Sequence, residues 1–240
     1  MSIRPAQAQY LRIGEQLAED IANGRLAPGA RLATERDMAA QFGCTRVTLR
    51  QALQRLEAQG ALYRGHRRGW FVSPVPIRYD PTRITGFMDY VSAQGREPRT
   101  ECLLAELRAA DAWLAQRMQV AVGEPLFQLQ RRRWVDGRPV LLETNVLNPS
   151  ACPGLLDQRL DGSLTALLRD HYGRQQARSQ ISLKPCLLDE EQSERLEIAS
   201  GSSGLYLERL CFDEDSNVVE LDLEFWRPDA VEVTLAVGGS

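Results

Sequence analysis

Over the first sixty positions, apolar residues return at steps of three and four. Tyr10, Ile13, Leu17 and Ile21 trace one face of a helix. Asn23-Gly24 closes it, because glycine accepts the left-handed backbone that follows a helix C-terminus. After a Pro28-Gly29 turn and Leu32, Thr34 is placed to cap a short helix, Glu35–Phe42, with Met38, Ala39 and Phe42 turned inward. Gly43 makes the turn into a second helix, capped by Thr45, whose inward face is Leu49, Ala52, Leu53 and Leu56. Gln59-Gly60 stops it. Two short strands, Ala61–Tyr63 and Trp70–Ser73, then flank a basic tip at 64–69, with Trp70 expected to pack on its own domain.

Ser73–Pro81 holds three prolines in nine residues, which favours extended chain and marks a boundary. Beyond it the pattern alternates between helical and strand periods, predicting a second α+β unit. Its helices are expected at Thr85–Gln94, Asp111–Met118, Leu164–His171 and Glu190–Leu196. Its strands are expected at Arg99–Leu107, Leu126–Val135, Pro139–Leu147, Ala177–Pro185, Leu205–Phe212 and Val218–Trp226. Asp136-Gly137 between two of them is a strong hairpin signal. The domains are thus 1–73 and 82–240, joined by a linker at 74–81.

Charge sharpens the division. Residues 1–74 carry 11 arginines against 6 acidic residues, whereas the remaining 166 carry 18 basic against 26 acidic ones. A basic module joined to an acidic one points to a polyanion-binding head attached to something else. The five cysteines are scattered, none forms a C-x-x-C pair, and there are only two histidines, so neither a zinc site nor a disulfide framework is expected. No metal or cofactor is expected at all. The N-terminus lacks an apolar leader and no run reaches membrane-spanning length, so a cytoplasmic protein is expected.

Polar and basic residues crowd the first turn of the second helix, whose apolar side begins only at Leu49. Arg46 and Arg50 lie one turn apart and project from the same side. Such a turn suits a DNA major groove, and a basic hairpin tip suits phosphates or a minor groove. The spacing Gly24-x-Leu26-x-Pro28-Gly29-x-x-Leu32-x-Thr34-Glu35-Arg36, followed by Phe42-Gly43-Cys44-Thr45-Arg46-x-Thr48-x-Arg50-x-Ala52-Leu53, resembles the winged helix-turn-helix of GntR-family transcription regulators. The resemblance implies DNA contacts at Arg36, Thr45, Arg46, Thr48 and Arg50, and in the wing at His66, Arg67 and Gly69. One departure is Arg67, where the family's wing often has a glycine.

In the second domain, alternation puts Phe127, Leu129, Arg131, Arg133 and Val135 on one strand face. Two arginines among apolar residues need a negative partner. Either a bound phosphate, phosphonate or carboxylate or internal pairing with Glu143 would satisfy them. The last long strand sets Glu220, Asp222, Glu224 and Trp226 opposite Val219, Leu221, Leu223 and Phe225. Three carboxylates in a row ordinarily mark a solvated face; lining a pocket instead, they would suit an ammonium. Asp161-Gly162-Ser163 opens a helix whose free N–H groups favour anions, although capping alone would justify Ser163. His171, on the apolar side of that helix, reads as structural.

Gly86-Phe87, Gly95-x-x-Pro98, Arg131-x-Arg133, Asp136-Gly137-x-Pro139, Glu143, Gly162-Ser163-Leu164, Tyr172-Gly173 and Glu220 resemble the UTRA effector domain of HutC-type GntR regulators. That resemblance implies a chorismate-lyase-like α+β fold, dimerisation, and a small anionic or zwitterionic effector. It places Arg131, Arg133, Glu143, Ser163 and Glu220 on the pocket. Thr165 and Trp226 stand where tyrosines are common in sugar-phosphate-binding relatives, and Asp222 and Glu224 share the face of Glu220. Arg67–Pro74 and Leu221–Arg227 further resemble regulators of phosphonate (2-aminoethylphosphonate) utilisation. The expected protein is a homodimeric, effector-responsive regulator of double-stranded operator DNA and not an enzyme. The alternatives are a phosphosugar or an organic acid such as urocanate as effector, or a chorismate-lyase-like enzyme, for which no nucleophile–base pair is recognisable.

Overall fold

The computed structural model describes residues 5–174 and 176–235, with side chains described from residue 9 onward. The outermost ends of both predicted domains, 1–4 and 236–240, lie outside the described residues. The head is built from α1 (Pro5–Ala22), α2 (Glu35–Gln41), α3 (Arg46–Ala58) and the hairpin β1 (Leu62–Gly65) with β2 (Gly69–Val72). Leu49, Ala52, Leu53 and Leu56 of α3 are buried against Ile13, Leu17, Leu32, Met38, Leu62, Trp70 and Val72 in one cluster. Each fully buried leucine contributes about 1.5–3 kcal/mol, so this face alone orients α3 and leaves its first turn outside. The predicted caps form: Thr34 accepts from the Asp37 N–H at 3.3 Å and Thr45 from the Thr48 N–H at 3.2 Å.

Arg67, where the resemblance leads one to expect a glycine, adopts φ 54° in the hairpin tip. A left-handed non-glycine residue costs about 1–2 kcal/mol, which explains why glycine is usual there. Gly65 is constrained differently, since a Cβ would come 2.9 Å from the Phe71 ring.

The second domain begins inside the expected linker. Ile77–Tyr79 forms a strand, β3, and both Ile77 and Tyr79 are buried. Next come α4 (Phe87–Ser92), β4 (Pro98–Ala109), α5 (Ala112–Met118), β5 (Pro125–Val135) and β6 (Arg138–Leu147). They are followed by α6 (Leu164–Asp170), β7 (Arg178–Leu187), α7 (Glu190–Arg195), β8 (Ser203–Phe212), β9 (Val218–Trp226) and β10 (Val231–Val233). Strand β3 pairs in parallel with β10. A three-residue strand whose partner lies about 150 residues away carries no local signature. The main sheet is antiparallel in the order β4-β5-β6-β9-β8-β7. Asp136 and Gly137 join β5 to β6 with φ of 51° and 74°, the paired positive values of a two-residue hairpin turn. Helix α4 starts later than predicted because Gly86 is an extended N-cap, and His171, expected on an apolar face, is exposed at the end of α6.

The head is docked on the second domain. The Ala199 N–H donates to the Arg64 carbonyl at 2.9 Å and the His66 N–H to the Glu197 carbonyl at 3.3 Å, so residues 197–199 extend the wing's edge. Arg68 pairs with Glu197 at 2.8 Å, and the Tyr63 ring packs against the guanidiniums of Arg138 and Arg227 at 4.4 and 4.5 Å.

Candidate functional site

Two regions gather the candidate residues. The first is a groove of about 910 Å³ between α3 and the wing, whose walls include Arg36, Arg46, Arg50, His66, Arg67 and Gly69. Thr45 and Thr48 are absent from that wall. Thr48 is buried, and its hydroxyl lies 2.9 Å from that of Thr45, so both oxygens serve the helix start. Arg50 pairs with Glu35 at 2.6 Å, while Arg46 stands off at 3.9 Å with two-thirds of its side chain exposed. The Trp70 indole also donates to Glu35, at 3.1 Å, which confirms the packing role expected of Trp70. The hydrogen bond from Arg50 chiefly holds the Glu35 carboxyl below its ordinary range. Sequence reasoning missed Glu35, Arg31 and Arg64 on this groove, and also Val47, which is 69% exposed on the first turn of α3. Val47 is an apolar residue out of phase with the buried face of α3, which was the available signal for its exposure.

The second region is a polar chamber inside the second domain, built by cross-strand register. On one face of the sheet Arg131 of β5 lies beside Glu143 of β6, which lies beside Glu224 of β9. One row along, Asn145 adjoins Asp222, which adjoins Arg209 of β8. Helices α4 and α6 cover this face. The enclosed space is only about 40 Å³, and its walls include Arg131, Arg133, Glu143, Thr165, Glu220, Asp222 and Glu224. Ser163 and Trp226 do not line it. The Ser163 oxygen caps α6 by accepting from the Ala166 N–H at 3.2 Å, and Trp226, fully buried, donates to Glu224 from the side at 2.6 Å. Through Thr165, Gln176, Cys211 and Glu220 the chamber shares walls with an outer cavity of about 270 Å³ that also touches Arg169 and Arg174.

Of the two possibilities for the paired arginines, the internal one is seen here. Glu143 accepts from Arg131 at 2.7 Å and from Arg133 at 2.8 Å, so internal pairing is real. One carboxylate thus serves two guanidiniums, both of which also line the chamber. The expectation of a solvated carboxylate face on β9 is overturned. Asp222 and Glu224 are buried and Glu220 is half-buried, because α4, α6 and β3 cover the face that alternation alone left open. Arg209, which sequence reasoning missed, sits opposite Asp222 and reaches Glu224 at 3.4 Å. Its alternation with Leu205 and Leu207 on β8 is the same signal that exposed Arg131. With all groups ionised, three guanidiniums face four carboxylates, an excess of one negative charge.

Burial, reinforced by Glu143, pushes the carboxyls of Glu220 and Asp222 up, Asp222 well above its ordinary value, and burial raises Glu224 as well. Burial works on Glu143 in the same sense, but Arg131 and Arg133 outweigh it and hold that carboxyl low. A raised acid stabilises the fold fully below its ordinary pKa, and that contribution is lost as pH rises through the folded value. Asp222 should therefore contribute progressively less stability on the alkaline side of pH 3.8, the ordinary Asp value, and Asp222→Asn should remove this part of the domain's pH dependence. Thermal unfolding across pH is the check, and equal slopes for the two proteins would reject it.

Carboxylate oxygens of Glu143, Asp222 and Glu224 lie within 4.8 Å of one another. They are the residues that could hold a hard, oxygen-seeking cation, although the neighbouring guanidiniums already supply positive charge. Among the described residues, no helix is long and apolar enough to cross a membrane.

A basic winged helix joined to an α+β domain with a charged internal chamber defines an effector-controlled DNA-binding regulator. The comparisons agree. Residues 9–72 match the gntR family of bacterial regulatory proteins and residues 93–232 match the UTRA domain. The chain belongs to the GntR family, in its UTRA-bearing HutC type, and is a ligand-responsive transcriptional regulator. The HTH-type transcriptional regulator YihL of Escherichia coli is 29% identical over 223 residues, covering 92% of this chain and 94% of YihL. The mannosyl-D-glycerate transport/metabolism system repressor MngR of the same organism is 28% identical over 226 residues, 94% of each chain. The crystal structure of PhnF from Mycobacterium smegmatis matches with a TM-score of 0.68 at 27% identity, over 95% of this chain and 99% of PhnF.

Proposed function

We propose that this regulator acts in the cytoplasm as a homodimer, with two heads on a palindromic operator, and senses a small zwitterion such as 2-aminoethylphosphonate. The carrying observation is that guanidiniums and carboxylates line a single chamber. A phosphonate suits the Arg131–Arg133 side, and an ammonium suits the side of Glu220, Asp222 and Glu224, where it would favour the ionised form of carboxyls that burial pushes up. The Arg67–Pro74 and Leu221–Arg227 stretches and the likeness to PhnF support the same reading. On this reading Arg36, Arg46, Arg50, His66, Arg67 and Gly69 face DNA, while Thr45 and Thr48 set the start of the reading helix. Ser163 and Trp226 act from behind the chamber wall. A sugar-derived effector is the competing reading, favoured by the name of MngR.

A thermal-shift panel separates these readings. 2-Aminoethylphosphonate should stabilise the protein by about 2.7 kcal/mol at a concentration one hundred times its Kd. Urocanate, a phosphosugar and mannosylglycerate should not. Stabilisation by one of the latter alone would replace the zwitterion.

A further inference from the structure

The residue that reports chamber occupancy to the reading head can be read from the path of the chain. Ser73 still belongs to the head, because its N–H donates to the Ala61 carbonyl at 3.0 Å while the Val72 N–H donates to Ala30 at 2.9 Å. Only Pro74–Arg78 separate it from Tyr79. Of the residues on the chamber wall, Tyr79 is the nearest to the head along the chain. Its ring is 4% exposed, stacked on Tyr90 at 5.1 Å and tilted against Trp226 at 5.5 Å. Its hydroxyl donates to Glu224 Oε1 at 2.9 Å and accepts from Arg209.

We propose that Tyr79 is a positioning residue that couples effector binding to the head, its hydroxyl holding β3 to the carboxylate an incoming cation must engage. The inference rests on the zwitterion reading above. Glu224 already receives the Trp226 indole at 2.6 Å, the Tyr79 hydroxyl at 2.9 Å and Arg209 at 3.4 Å. Tyr79 and Arg209 both donate to Oε1 and fill its acceptor sites, so an ammonium arriving at that oxygen displaces one of these two donors or draws it along. The indole is fixed on the same strand and Arg209 lies on the adjoining one. Tyr79 alone of the three belongs to the segment leading into the head; beside its buried ring, its backbone is held in the domain by edge contacts. Those are the three-residue pairing with β10, the Thr234 N–H on the Tyr79 carbonyl at 2.9 Å, and the Gln94 side-chain amide, which bonds both Arg78 backbone groups at 2.9 Å. A shift of β3 enters the head through three residues, Pro74–Pro76, two of them proline, which transmit displacement better than a flexible tether.

Tyr79→Phe removes the hydroxyl and keeps the ring packing, so it isolates the coupling. Calorimetry with 2-aminoethylphosphonate gives the effector Kd. Fluorescence anisotropy on a duplex selected from a random library by the native protein gives operator affinity with and without saturating effector. Couplings of this kind are typically about 5–150-fold. The expected result is that Tyr79→Phe binds the effector while its ratio of operator affinities falls towards one. A native-sized ratio in the variant overturns the inference. So does complete loss of effector binding, which would make Tyr79 a ligand contact only. A native protein that ignores 2-aminoethylphosphonate in both assays rejects the effector reading itself, and this inference with it.

Discussion

Arg46→Ala is expected to abolish specific operator recognition while leaving the fold intact. A bidentate arginine–guanine pair is worth about 1–3 kcal/mol. Two heads on two half-sites would then lose about 2–6 kcal/mol, roughly a 30-fold to more than 10⁴-fold fall in affinity. Arg46 is the choice over Arg50 because of Glu35. That carboxylate grips Arg50 at 2.6 Å and leaves Arg46 at 3.9 Å, with 65% of the Arg46 side chain open to solvent. An exposed first-turn residue contributes little to packing, so its removal should alter folding stability by no more than about 0.5 kcal/mol. Gel shifts on specific and scrambled duplexes at physiological salt are the measurement. Undiminished specific affinity would remove Arg46 from the interface.

The other large effect concerns Arg131→Ala. Arg131 is 2% exposed, bonded to Asn145 at 3.0 Å and to Glu143 at 2.7 Å. Deleting one member of a buried ion network leaves its partner under-compensated and costs about 3–5 kcal/mol. The chamber would then hold two guanidiniums beside four carboxyl groups, of which Glu143 is the one its arginines keep low. For a chain of this size, roughly 2–4 °C is lost per kcal/mol, so the second domain's midpoint should fall by about 6–20 °C. On the zwitterion reading, stabilisation by 2-aminoethylphosphonate should also vanish, since only Arg133 of the proposed pair would be left to hold the phosphonate. Arg131→Lys restores charge without the planar fork and should recover stability more than effector response. A native-sized thermal shift in Arg131→Ala would show that the effector binds elsewhere.

The docking of the wing on residues 197–199 gives these predictions a common frame. The groove between α3 and the wing is bordered by Ala199 and Ser200 of the second domain, so the head's placement and access to its groove are connected. An effector that prefers one placement shifts operator affinity by the difference in its affinity for the two.

Local order was written plainly in the sequence. Thr34 and Thr45 cap their helices, Leu49 to Leu56 bury one side of α3, and Asp136-Gly137 turns the hairpin. Each of these depends on neighbours within a few positions, where spacing and side-chain type suffice. The polar character of the Arg131–Arg133 face was legible for the same reason, since alternation along one strand is local. Only the tertiary structure decided that the β9 carboxylates are buried, that Glu143 bridges both arginines, and that Arg209 and Tyr79 complete the chamber. Those outcomes depend on register across five strands and on which helices cover the face. They are set by contacts between residues up to about 150 positions apart, which no window of sequence contains. The head was therefore readable almost residue by residue from the chain. The chamber was readable only in outline, because its chemistry belongs to strands that meet after folding.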